Sequence, residues 1–251
     1  MPLALLSIGI NYNGQLKGCV NDTNNIIKCF TSRIPLARCW KMVDTLPISD
    51  VFYPSRRNIE RQFLDIVQSA NRFSHLIVHY SGHGSQIRDL NKDETDRLDE
   101  VIVPADYAKV GFISDDWLQS RFVSKLPASL KVLCIFDCCH SGTVLDLRYN
   151  WINARRGGFL RTENNRKCSE QQDVTLLSGC LDSQYSYETF DYNYKMSGAL
   201  TSAFLNTICK RSTRDPGLLL SYIQESINNS KQTVLISSTR KTMPPWNFIS
   251  F

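Results

Sequence analysis

No apolar run in this chain approaches the ~20 residues that a bilayer-spanning helix requires. The opening MPLALLSIGI has neither a basic leader nor a small-residue cleavage site ahead of the polar NYNG. These absences argue against a membrane partner and leave a first buried strand as the expected role of the opening residues. Low-complexity tracts and internal repeats are also missing, which excludes solenoid and largely disordered architectures. Cysteine is not scarce, at nine in 251 residues, but its count is odd and its spacing irregular. A chain of this length buries enough core to fold without staples, so mostly free thiols and a reducing, cytoplasmic setting are expected. A strong charge of one sign is lacking too: the net charge is +5, much of it from ARRGGFLRTENNRK (Ala154–Lys167). That stretch is broken by Gly and Asn and carries Phe159 as its one aromatic, so no nucleic-acid partner is expected.

What is present alternates between two periodicities. LALLSIGI, RCWKMVDT, SHLIVHYSG, DEVIVPAD, KVLCIFD and VTLLSGC read as strands, several of them continuously apolar. Between them, a helix is expected from about Asn21, with Asn21 or Asp22 as its cap, and another from Pro54–Ser55 through Ala70. DDWLQSRFVSKL, SGALTSAFLNTIC and PGLLLSYIQESI also read as helices. Continuous apolar strands alternating with amphipathic helices predict an α/β sandwich whose largely parallel sheet is covered on both faces. Sites in such sheets gather at the strand carboxyl ends. Two candidate segments stand there: HYSGHGS after SHLIV, and DCCHSGT after KVLCIF.

Histidine is rare, and all four, His75, His79, His83 and His140, lie in or beside these segments. On a helix the first three would stack as metal ligands, but SHLIVHY is strand-like, and positions four apart on a strand lie about 13 Å apart. His75 and His79 are therefore expected to be packed strand residues. His83, between Gly82 and Gly84, sits where backbone can approach a ligand closely. A cysteine at the next strand end would complete a nucleophile-and-base pair. The competing reading is two unrelated residues on neighbouring loops. Adjacent side chains on an extended chain point opposite ways, so Cys138 and Cys139 are expected to do different jobs. Spacing does not choose between them.

In order, HYSGHGSQIRD, DETDRLDEVIVPAD, ISDDW, FDCCHSGT and LLSGCLDSQYS resemble the metacaspases, caspase-like cysteine proteases; ALLSIGINYNGQLKGCVNDTNN and GALTSAF resemble the same family. The resemblance implies a caspase-like α/β/α sandwich with a central, mostly parallel sheet. It implies one catalytic domain over 1–251, with a large-subunit-like part (1–148), a linker (149–172) and a small-subunit-like part (173–251). A monomer without a prodomain and with a short linker is the expected form. In the family the nucleophile directly precedes HSG, which is Cys139, and His83 is its base. Backbone N–H groups of Gly84 and Cys139 would form the oxyanion hole. Cys138, where the family often has serine, would be a packing residue.

Metacaspases cut after Arg or Lys, and the family's specificity-pocket positions fall here on Cys19, Asp22, Ser81 and Asp137. Two carboxylates at a pocket base suit a guanidinium, although helix capping competes for Asp22. The acidic residues Asp93, Glu94, Asp96, Asp99, Glu100, Asp115, Asp116 and Asp146 form no EF-hand pattern. The resemblance carries Ca²⁺ ligation onto Asp99, Asp115, Asp116 and Asp146. A solvated acidic surface, with Asp115 capping the next helix, is the competing reading, and Arg97 stands where the family commonly has glycine. The basic residues Arg155, Arg156, Arg161, Arg166 and Lys167 form either a self-cleavage loop or a plain solvated one. The resulting expectation is a calcium-dependent cysteine endopeptidase acting on protein or peptide substrates with Arg or Lys at the cleavage position. A catalytically silent homologue or a peptide ligase of the same clan would be the alternative.

Overall fold

The first apolar run becomes β1 (Leu3–Gly9), in which every residue is buried. Its side chains serve two cores by simple alternation: Ala4, Leu6 and Ile8 face one, Leu3 and Leu5 the other. This computed structural model describes residues 2–89, 97–153, 158–164, 171–179, 188–191, 193–210, 215–227 and 232–243. After β1 come α1 (Cys19–Thr31), β2 (Leu36–Val43), α2 (Arg56–Ser69), β3 (His75–Ser81), β4 (Gly84–Arg88), β5 (Leu98–Ile102), α3 (Tyr107–Val110), β6 (Ile113–Ser114), α4 (Asp115–Arg121) and β7 (Lys131–Asp137). The remainder supplies β8 (Tyr149–Asn153), β9 (Phe159–Glu163), β10 (Asp173–Ser178), β11 (Glu188–Phe190), β12 (Met196–Gly198), α5 (Ala199–Lys210), α6 (Pro216–Ser226) and β13 (Leu235–Ser238).

Eight strands form the central sheet in the order β2-β1-β3-β7-β10-β13-β8-β9. The pairings from β2 through β10 are parallel, and those from β10 to β9 antiparallel. Ile59, Phe63 and Ile66 of α2 and Leu118 of α4 fill one face. Ile26 and Phe30 of α1, Leu200 and Phe204 of α5, and Leu219 and Ile223 of α6 fill the other. The architecture is the expected caspase-like α/β/α sandwich.

Three local expectations are corrected. Helix α1 starts at Cys19 behind Gly18, not at the Asn21 or Asp22 cap. The Glu188 carboxylate, remote in sequence, accepts the N–H groups of Lys17 and Gly18 just ahead of the helix, and the Asn11 side-chain oxygen accepts the Val20 N–H in its first turn. The stretch read as a linker, 149–172, holds two strands of the main sheet, because Tyr149 and Trp151 are buried against the α5/α6 core. Arg161 lies on β9 with its guanidinium 5.5 Å from the Tyr149 ring centroid; Arg155, Arg156, Arg166 and Lys167 lie outside the described residues. Finally, the DEVIV run is not part of the central sheet. It becomes β5, between β4 and β6 in a separate antiparallel sheet.

Candidate active site

Strands β3 and β7 are parallel neighbours, with Ser81 opposite Asp137, so their carboxyl ends deliver HYSGHG and FDCCHSG side by side. The Gly82 N–H donates to the Asp137 carbonyl at 3.4 Å. One step on, the two backbones touch: a β-carbon at Gly84 would lie 2.0 Å from the Cys139 carbonyl oxygen. No side chain fits there, which gives the glycine of HGS its reason. Cys138 is buried and Cys139 half-buried, so the two thiols do point into different surroundings. His140 adopts a left-handed conformation (φ 51°), turning the chain directly after Cys139.

His83 is held from behind by Tyr12. The rings lie 4.5 Å apart at 34°, the His83 N–H donates to the Tyr12 hydroxyl at 2.9 Å, and that hydroxyl donates to the Val103 carbonyl at 2.6 Å. Tyr12 itself has φ 51°, a bend fixed by Asp44, which accepts the N–H groups of Asn11 and Tyr12. Partial burial lowers the His83 pKa, against a weaker opposing pull from Glu188, so its imidazole is neutral at pH 7. His79, by contrast, is a core residue, as expected. It bonds Ser7 through Nδ1 and Thr201 through Nε2, and burial pushes its pKa down to about 3. His75 is likewise buried in β3, bonded to Ser74.

Beside this pair lies a buried acidic pocket. The Asp22 carboxylate accepts the Ser81 hydroxyl at 2.7 Å, the Gly198 N–H at 2.9 Å and the Ser197 hydroxyl. Asp137 accepts the Thr201 N–H at 2.7 Å. A β-carbon at Gly198 would lie 2.2 Å from the Asp137 carboxylate and 3.0 Å from that of Asp22, so the two acids flank this glycine. Burial, and next the charge of Asp137, push the Asp22 carboxyl up to about 7. Cys19 is raised by burial and hydrogen-bonded to Ser81. All of Cys19, Asp22, Ser81 and Asp137 are thus brought together, and Asp22 does not cap its own helix, whose N-cap is Gly18. Sequence reasoning missed Ser197, Thr201, Tyr12 and Glu188 as neighbours of the site. Tyr12 stands inside NYNG, and Ser197 and Thr201 inside SGALTSAFLNTIC, stretches already noted, while Glu188 carries no recognisable local signal.

The acidic cluster is partly assembled. Asp99, Asp115 and Asp116 each offer a carboxylate oxygen within 4.8 Å of the others. Asp115 does not cap α4; Ser114 does, accepting the Trp117 N–H, while Asp115 accepts the N–H groups of Glu100 and Asp116. Burial, with the neighbouring Asp99 and Asp116, pushes the Asp115 carboxyl up to about 7 despite those bonds. Three crowded carboxylates, one pushed toward neutrality, are a donor set that fits a hard divalent cation. Asp146 is not in that group. It is buried in the loop after Cys139, tied to Thr143 by its N–H, and Thr143 in turn bonds Glu100 beside Asp99. Asp93, Glu94 and Asp96 lie outside the described residues.

A family model described as "Metacaspase, peptidase C14 domain" matches residues 4–148. Metacaspase-1B of Neurospora crassa is 41% identical, the match covering 69% of this chain and 41% of that protein. Metacaspase-1 of Kluyveromyces lactis is 40% identical, covering 82% and 58%, and metacaspase-5 of Trypanosoma brucei brucei 32% identical, covering 79% and 43%. The crystal structure of protein GSU0716 from Geobacter sulfurreducens superposes with a TM-score of 0.68 at 20% identity, over 98% of this chain and 96% of that one, which is a likeness of fold. Sheet order, helix layers and the paired strand ends define a caspase-like α/β protein. Within that class, the chain belongs to the metacaspase family. It spans 41% to 61% of the length of the first three curated relatives it matches. No helix among the described residues is long and apolar enough to cross a membrane.

Proposed function

We propose that the chain is a calcium-dependent cysteine endopeptidase that cuts protein or peptide substrates after Arg or Lys through His83 and Cys139. The observation that carries this reading is the backbone contact between Gly84 and Cys139, which sets a neutral, half-buried imidazole and a half-buried thiol on touching loops. The imidazole takes the thiol proton, and the thiolate attacks the scissile carbonyl, forming a C–S bond. The oxyanion is met by the N–H groups of Gly84 and Cys139, worth several kcal/mol in the transition state. The Val103 N–H bonds the His83 carbonyl, so the antiparallel alternation leaves the Gly84 N–H outside the β4/β5 ladder and available for this role. The imidazolium then protonates the leaving amine, the peptide C–N bond breaks, and water hydrolyses the acyl-enzyme. Parts 1–148 and 173–251 act as one catalytic unit, since β10 and β13 continue the sheet that carries both loops.

Asp22 and Asp137 would pair with the substrate's guanidinium or ammonium, relieving their mutual repulsion. An arginyl reporter peptide is expected to be cleaved and its aspartyl counterpart left intact; comparable turnover of both would end the specificity claim. Self-cleavage at the basic stretch 155–167, which offers such residues, belongs to the same proposal. So does action as a monomer.

Tyr12→Phe keeps the ring stack but deprives the His83 N–H of its acceptor, at a cost of about 1–3 kcal/mol. It is expected to lower kcat by about tenfold while KM stays near its original value. Steady-state kinetics on an arginyl peptide check this, and an unchanged kcat would show that Tyr12 does not position the imidazole.

Asp99, Asp115 and Asp116 would hold Ca²⁺, with Asp146 joining only if its loop moves toward them. When bound, the ion supplies positive charge that neutralises the buried acids and braces the Cys139 loop through Glu100 and Thr143. Ca²⁺ at about 100 times its Kd stabilises by about 2.7 kcal/mol, so Tm is expected to rise by about 5–10 °C. The rise should vanish in Asp115→Asn/Asp116→Asn protein. The same Tm in Ca²⁺ and in chelator would remove the metal from the account.

A further inference from the structure

Away from the proposed catalytic centre, the far ends of α1 and α5 bring two thiols against one guanidinium. Cys29 is buried on α1, and Cys209 is exposed on α5. Arg33, one turn beyond Cys29, donates from Nη1 to Cys29 Sγ at 2.8 Å and from Nη2 to Cys209 Sγ at 2.9 Å. Both nitrogens belong to one planar fork, so the sulfurs are held side by side. Cys209 lines a cavity of about 390 Å³ with Asn25, Ser197, Asn206 and Lys210, which gives a small thiol reagent a way in.

We propose that Cys29 and Cys209 form an oxidisable pair, a modification site distinct from Cys139, which closes to a disulfide on reaction with a low-molecular-weight disulfide of the glutathione type. The Arg33 guanidinium pulls the Cys29 thiol down, though by less than burial pushes it up. Reaction starts at Cys209, because it is exposed, whereas burial holds the Cys29 thiol protonated. The Cys209 thiolate attacks one sulfur of the disulfide reagent, forming a mixed disulfide and releasing one thiolate. Cys29 then gives up its proton and attacks Cys209 Sγ, displacing the second. Two cysteine thiols are oxidised, the reagent is reduced to two thiols, and these carry away both protons. Arg33 makes room by swinging outward, where its side chain is already exposed. The new bond would tie together the two helices whose other ends carry Cys19 and Asp22, on α1, and Thr201, on α5.

The test uses the full chain carrying Cys139→Ala, which removes the proposed nucleophile as a competing thiol and prevents self-cleavage. After incubation with oxidised glutathione, remaining thiols are alkylated and the protein is digested without reductant for mass spectrometry. A cross-linked pair of peptides containing Cys29 and Cys209 is expected, two hydrogen atoms lighter than their sum. It should disappear on reduction and in Cys209→Ser protein. Recovery of Cys29 fully alkylated after the same treatment, whether or not Cys209 carries glutathione, would overturn the proposal, and this outcome does not depend on any variant at the pair folding.

Discussion

Replacing Cys139 with alanine is expected to lower kcat/KM on an arginyl peptide by about 10⁴-fold or more, the loss seen when a covalent nucleophile is removed. Cys138→Ala should keep activity within about threefold and cost about 1 kcal/mol of stability for the small cavity it leaves. The contrast follows from where the adjacent thiols point. Cys138 is 1% exposed, packed in the core beneath the site, with its sulfur 3.2 Å from where a Gly84 β-carbon would stand. Cys139 is half-buried at the turn that His140 makes. Hydrolysis rates together with labelling by an arginyl electrophile decide the matter. If Cys138→Ala were the inactive variant and Cys139→Ala the active one, the assignment would be reversed.

Asp22→Asn is expected to cost arginyl cleavage about 10²–10³-fold, mainly through KM, because removing one charge of a buried, hydrogen-bonded ion pair costs about 2–5 kcal/mol. The pH dependence sharpens this. In the empty pocket the Asp22 carboxyl is pushed up to about 7 by burial and by Asp137. A guanidinium binds the ionised form, so affinity for an arginyl peptide should weaken by up to about tenfold per pH unit below 7 and level off above it. Calorimetry on Cys139→Ala protein in buffers of different ionisation enthalpy should register proton release on binding below pH 7. The linkage to folding has the opposite sense. The folded pKa lies above the unfolded value of about 3.9, so the stability this group contributes is fully present below pH ~4 and lost as pH rises through about 7. Between pH 5 and 8 the empty protein's Tm should therefore fall relative to that of Asp22→Asn. A constant Tm difference across that range, with pH-independent peptide binding, would contradict a shared buried charge.

Much of the site was legible in the chain because its parts sit at punctuation. His83 lies between glycines at one strand end, and Cys139 lies at the turn after another, so local periodicity located both loops. The match to a family placed Asp22, Ser81 and Asp137, and the structure gathers them. Less legible were features made by segments far apart in order. Ahead of helix α1, Glu188 holds the Lys17 and Gly18 N–H groups from across the molecule while the Asn11 side chain accepts the Val20 N–H in its first turn, and nothing near residue 19 announces that. The stretch at 149–172 reads as a polar loop, yet Tyr149 and Trp151 insert into a core formed by α5 and α6. Two of the sheet's antiparallel edge strands were therefore hidden by their flanking charges.

By itself, then, the order of residues determined the elements whose signal is periodic: apolar strands buried on both faces, helices with one apolar side, and glycines where backbones must touch. Burial, neighbour charge and long-range hydrogen bonding belong to the folded arrangement alone. Only that arrangement made one of two adjacent cysteines available, raised Asp22 by burying it and setting Asp137 beside it, drew Asp99, Asp115 and Asp116 together while leaving Asp146 outside, and laid Arg33 across two sulfurs. The physical reason is that electrostatic and packing energies depend on distance through space, which sequence separation does not encode.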